Sequence, residues 1–77
     1  MTNVERRFLW SQYPEVQEMF EEYNSILLED DTAWEAVVSR CHKIRDIYHG
    51  AAGVEAALID AAYQLEMLAK KRRGMTQ

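Results

Sequence analysis

The stretch Val54–Arg73, VEAALIDAAYQLEMLAKKRR, decides how the rest of this chain must fold. At about 100° per residue, Val54, Ala57, Leu58, Ala61, Ala62, Leu65, Leu68 and Ala69 fall on one stripe of an α-helix. Half of that stripe is alanine, so a neighbouring helix can approach closely. Ile59, Tyr63 and Met67 fall on the opposite side, with Ala56 beside them. A helix that is apolar on two sides sits at the centre of its assembly. Something must cover each side, either the rest of this chain or a second copy of it.

Working back towards the N-terminus, GAAG (Gly50–Gly53) breaks the chain, and Gly50 is a plausible stop for the helix before it. That helix is expected over 32–49. Its stripe is Trp34, Val37, Val38, Cys41, Ile44 and Tyr48. Thr32 and Glu35 have capping-box spacing, and Asp30 or Asp31 is an alternative cap. A further helix is expected over 14–29. Pro14 opens it, because a proline in the first turn loses no hydrogen bond. Val16, Met19, Phe20, Tyr23, Ile26 and Leu27 form its stripe. Gly74 is read as the terminator of the last helix, expected over 54–73, with 74–77 a short tail. Off these stripes, Leu28 and Ile47 add further apolar surface.

Residues 1–13 form an aromatic arm, with a short helix from about Asn3 to Trp10 as one form of it. Phe8, Leu9 and Trp10 cannot all face one way on a single turn, so Phe8 and Trp10 are expected to divide between the chain's own core and a partner surface. Tyr13, just ahead of Pro14, is expected to pack back on the first turns of the helix it precedes. The fold class is therefore all-α: a small three-helix bundle (helices about 14–29, 32–49 and 54–73) with an N-terminal arm or helix, in one domain spanning 1–77 and completed by dimerisation.

Size is the reason to expect a second copy. Seventy-seven residues bury only about 60% of their unfolded surface. A core of that size rarely contributes more than about 3–5 kcal/mol unaided. The single cysteine, Cys41, excludes an internal disulfide, and a lone thiol fits a reducing compartment, so a cytoplasmic location is expected. No apolar run approaches the roughly 20 residues of a membrane span. Charges at Glu5, Arg6 and Arg7 argue against a signal peptide.

The net charge of −4 is unevenly spread. Between Phe8 and Ser39 stand Glu15, Glu18, Glu21, Glu22, Glu29, Asp30, Asp31 and Glu35, with no lysine or arginine. Basic charge collects in the helix over 32–49 and in the run Lys70, Lys71, Arg72, Arg73. Such asymmetry suits charge-guided contact, within the fold or between copies.

Candidate chemistry is thin. His42, Asp46 and His49 lie along one side of a helix, but two imidazoles seven residues apart lack further ligands, so no metal is expected. Cys41 lies on a core stripe with no histidine one turn away to serve as its base, and reads as a packed thiol. Arg45 falls within the apolar arc of its helix. A buried guanidinium needs a carboxylate, and Glu22 or Glu29 is the expected partner of a structural ion pair. Glycine-rich phosphate loops and serine elbows are absent. No enzyme activity and no cofactor is expected.

The leading expectation is a noncatalytic protein–protein interaction module, a homodimer whose interface draws on Phe8, Trp10, Ile59, Tyr63 and Met67. In size and composition such a chain is similar to the small accessory or regulatory proteins of bacteria and phages. One alternative is a nucleic-acid-associated regulator using Lys70, Lys71, Arg72 and Arg73 at the basic end of the last helix. Another is an acidic inhibitor that occupies a basic cleft on its partner.

Overall fold

The computed structural model describes residues 1–75 and consists of four helices: α1 (Asn3–Ser11), α2 (Pro14–Tyr23), α3 (Asp31–Ile47) and α4 (Ala52–Met75). Thr76 and Gln77, part of the expected tail, lie outside the described residues. Among the described residues there is no strand, so the all-α expectation holds. The N-terminal arm takes its helical form, one residue longer than the span from Asn3 to Trp10, so the structure has four helices.

Local chemistry explains most helix ends. At the start of α1 the Thr2 hydroxyl accepts from the Glu5 N–H at 3.1 Å, and the Glu5 carboxylate accepts from the Thr2 N–H at 3.2 Å. That is a capping box, which satisfies two donors that a short helix otherwise leaves to water. Pro14 opens α2 as expected. Asp30, rather than Thr32, caps α3 by accepting from the Ala33 N–H at 3.1 Å. At the other end of α3 the Gly50 N–H reaches the Arg45 carbonyl at 2.9 Å, and the His49 N–H reaches Asp46 at 3.1 Å. These bonds make a Schellman motif, with His49 in the left-handed position (φ 56°) that a glycine usually takes. The helix therefore stops at Ile47, two residues before the expected 49.

Two other boundaries differ from expectation. The helix over 14–29 ends at Tyr23. Asn24 and Ser25 favour turns, and side chains from distant helices meet the carbonyls that follow. Arg72 of α4 donates to the Asn24 carbonyl at 2.8 Å and to the Ile26 carbonyl at 2.5 Å. The Trp34 indole N–H donates to the Leu27 and Leu28 carbonyls at 3.1 and 3.2 Å. Ile26 remains buried in this link, whereas Leu27, expected on the core stripe, is exposed. The last helix runs longer than 54–73. It starts at Ala52 and passes through Gly74, which does not terminate it. At an exposed helix end a glycine costs only about 1 kcal/mol.

α2 and α4 each pack against all three other helices, and α1 and α3 flank them without touching each other. The Cα envelope is 41 × 28 × 16 Å, a slab two helices thick. The core runs along α4, which contributes Val54, Ala57, Leu58, Ala61, Leu65 and Ala69, all buried. Facing them are Val16 and Met19 of α2, Val37 and Ile44 of α3, Ile26 and Trp10. Trp10 packs on Phe20 with ring centroids 5.0 Å apart. Its indole N–H is buried without a partner among the described residues. Burial of the ring outweighs that donor. Val38, expected on the α3 core stripe, is exposed, because α3 has neighbours on only one side.

One aromatic cluster fastens the α1–α2 turn to the α3–α4 turn. Tyr13 meets Tyr48 edge-on, with centroids 4.9 Å apart. The Tyr48 hydroxyl donates a short hydrogen bond to the Glu15 carboxylate. Tyr13 lies so close over Gly53 that a Cβ there would fall 2.3 Å from its hydroxyl oxygen and 3.3 Å from its ring. Gly53 thus provides the space in which Tyr13 docks.

Two tests follow from this cluster. Gly53→Ala forces the Tyr13 ring to shift, an overpacking cost of about 1–3 kcal/mol that outweighs the gain of roughly 1 kcal/mol in helix propensity. Urea denaturation should show net destabilisation, and Tyr13→Phe added to Gly53→Ala should recover part of it. The Glu15 bond pushes the Tyr48 hydroxyl up from 10.0 to about 12, and the same bond lowers the Glu15 carboxyl. The Tyr48 contribution to stability is complete below pH 10 and is lost as pH rises through about 12. The Glu15 contribution is complete above the ordinary carboxyl range and is lost as pH falls below it. Tyr48→Phe should move the Glu15 carboxyl titration, followed by NMR, up towards its usual position, since the Tyr48 bond is the largest of the causes that lower it.

Candidate protein–protein interface

α4 is buried along one side and bare along the other. Ile59, Tyr63 and Met67 recur every fourth residue and are 72, 56 and 47% exposed. The spacing puts them on one line of the helix surface. None of α1, α2 or α3 covers that line. Three large apolar side chains aligned on a solvent-facing helix form a patch of the kind that marks an interaction site.

Ionic contacts border the patch. Arg6 of α1 donates through Nε to Asp60 Oδ2 at 2.7 Å and through Nη2 to Oδ1 at 3.4 Å. The Asn3 side-chain oxygen takes a third donor of the same guanidinium at 2.8 Å. This half-buried bidentate pair pins α1 to the side of α4 and defines one edge of the patch. Lys70 pairs with Glu66 at 3.0 Å near the C-terminal end. Towards α3, a shallow groove lined by Cys41, His42, Arg45, Glu55, Leu58 and Ile59 continues the patch, with Ile59 shared between the two.

Phe8 and Trp10 part company. Phe8 is 69% exposed on the outer face of α1, near Met1 and Val4. Trp10, expected at a partner surface, is 6% exposed and belongs to the chain's own core. The reason is geometric. Arg6 and Trp10 lie four residues apart on one side of α1, and the Arg6–Asp60 pair turns that side towards α4.

Arg45 is also a correction. It is exposed at the groove edge. Glu22, one of its expected partners, pairs with Arg40 at 2.6 Å, and the Arg40 guanidinium lies 5.9 Å from the centre of the Tyr23 ring. Arg40 lies five positions before Arg45, and this is enough to bring it beside the end of α2.

The basic run Lys70–Arg73 does not form a uniform surface. Arg72 turns inward to the α2 link through the two carbonyl bonds described above, while Lys71 is exposed. Cys41 is half-buried, with Sγ 3.7 Å from the Met19 sulfur, and burial raises its thiol pKa. A thiol pushed up in this way stays protonated, which disfavours nucleophilic use. His42, Asp46 and His49 are exposed. Among the described residues no group of three or more His, Cys, Asp or Glu is gathered to hold a metal ion, and no helix is long and apolar enough to cross a membrane.

Sequence reasoning missed Arg6, Asp60, Gly53 and Arg72. Thr2 and Glu5 did carry a readable signal, the capping-box spacing. The other four act across 40 or more positions of sequence, where no local pattern marks them. Comparison with protein-family models, with curated proteins and with solved structures returns no match.

The two aromatics of α1 should separate cleanly by mutation. Trp10→Ala is expected to cost about 3–5 kcal/mol, the range for removing a large buried ring. Phe8→Ala should change the stability of the isolated protomer by no more than about 0.5 kcal/mol. Denaturant melts at low protein concentration read both values.

Proposed function

We propose that this chain is a noncatalytic protein–protein interaction module that assembles as a homodimer, with its interface centred on Ile59, Tyr63 and Met67. The observation that carries this reading is the second apolar face of α4, which none of α1, α2 or α3 covers among the described residues. Each such side chain contributes about 1.5–3 kcal/mol when fully buried. A small slab with a marginal core gains most by burying them against another protein. Aromatic and methionine side chains are also the residue types enriched at the centres of interfaces.

A cytoplasmic accessory or regulatory role suits a chain of this size with a single protonated thiol. Exposed Phe8, with Val4 and Met1, forms a second apolar surface, on α1.

Sedimentation equilibrium at micromolar concentration should give twice the 9.0 kDa chain mass. Tyr63→Glu should weaken self-association at least 100-fold while leaving the far-ultraviolet helical signal unchanged. A wild-type species that stays at 9.0 kDa across this range would refute the dimer.

A further inference from the structure

The bare face of α4 is symmetric in its apolar residues and asymmetric in its charges. Ile59 precedes Tyr63 by four residues, and Met67 follows it by four. Glu55 stands eight residues before Tyr63, whereas Lys70 and Lys71 stand seven and eight after it. Glu55, Lys70 and Lys71 are all exposed. Two copies placed side by side on this face have two ways to align. In a parallel pair Lys70, about 20° around the helix from Tyr63, meets its own counterpart across the seam, so like charges oppose each other there. In an antiparallel pair with its two-fold axis at Tyr63, Tyr63 meets its own counterpart. Ile59 then lies level with the partner's Met67. Glu55 lies within one residue of level with the partner's Lys70 and on the same flank of the seam, whereas Lys71 falls on the other flank.

We infer that two copies of this chain pair through α4 in antiparallel orientation about Tyr63, with Glu55 of each copy facing Lys70 of the other. The inference rests on the self-association proposed above and specifies its geometry. A two-fold interface must be self-complementary, and this stripe meets that condition in only one of the two directions. Opposed charges select orientation and register by penalising the wrong alignment more than by adding affinity to the right one. Lys70 already touches Glu66 on its own helix at 3.0 Å, but both side chains are about half exposed, so that pair is weak enough to be shared. Ala56, exposed beside the stripe, leaves room for the stem of the incoming lysine.

Charge exchange in the full-length chain tests the geometry. At low ionic strength, Glu55→Lys and Lys70→Glu should each weaken the dimer at least tenfold by sedimentation velocity. Mixing the two variants in equal amounts should restore dimerisation to near the wild-type level, since every opposed pair in the mixed dimer is again of unlike charge. If neither reversal weakens the dimer, the antiparallel arrangement is overturned while the interaction module stands. If wild-type protein never dimerises, both readings fall. Cross-linking gives an independent check in a Cys41→Ser background. Ile59→Cys mixed with Met67→Cys should form a disulfide on mild oxidation. Ile59→Cys alone should not, because its two copies lie about 12 Å apart along the helix axes. Efficient self-linking at position 59 would overturn the proposed register.

Discussion

A long helix with two apolar sides, in a chain with only three shorter helices to cover it, is the constraint on which this structure depends. α4 spans Ala52–Met75 and lies in contact with every other helix. Its alanine-rich side is closed by Val16, Met19, Val37, Ile44 and Trp10, and small residues there let the partners come near. Among the described residues, none of α1, α2 or α3 covers the opposite one. The slab is two helices thick. Exposure of Ile59, Tyr63 and Met67 therefore follows from the same packing that buries Leu58 and Leu65.

The connections hold this arrangement through side chains that act far from their place in the sequence. Arg6 fixes the roll of α1 by gripping Asp60, and that roll sends Trp10 inward and Phe8 outward. Arg72 satisfies carbonyls that α2 leaves open when it ends early. Tyr13 seats on Gly53 and meets Tyr48, which in turn holds Glu15. Each contact joins segments dozens of residues apart. Together they convert three short, individually marginal helices into supports for α4. Arg72 also shows how a run that reads as a basic surface in sequence can be partly spent inside the fold.

The legible parts of the sequence were the periodic ones. The stripe of α4, the bare line on its far side, the Pro14 start and the split between Phe8 and Trp10 all follow from helical geometry and residue type. Which of the two aromatics would be buried did not follow, because it depends on a partner for Arg6 that lies 54 positions away. The stop at Tyr23 was hidden for the same reason. A stripe continuing through Ile26 and Leu27 looks helical until Arg72 is seen to hold the carbonyls of a different conformation. Arg45 was misjudged because its position on the apolar arc gave no sign that α3 is covered on one side only.

By itself the sequence determined that the chain is helical, where its apolar faces lie and that one helix has a face too many. Those properties are local: hydrophobic periodicity, caps, and proline at a first turn act within a few residues. Tertiary structure alone decided where α2 ends, which aromatic enters the core, which arginine serves the acidic helix and how closely Tyr13 can approach Gly53. These depend on which groups meet across space. Ion pairs and close packing have ranges of a few ångströms, and only the folded chain brings their members within reach.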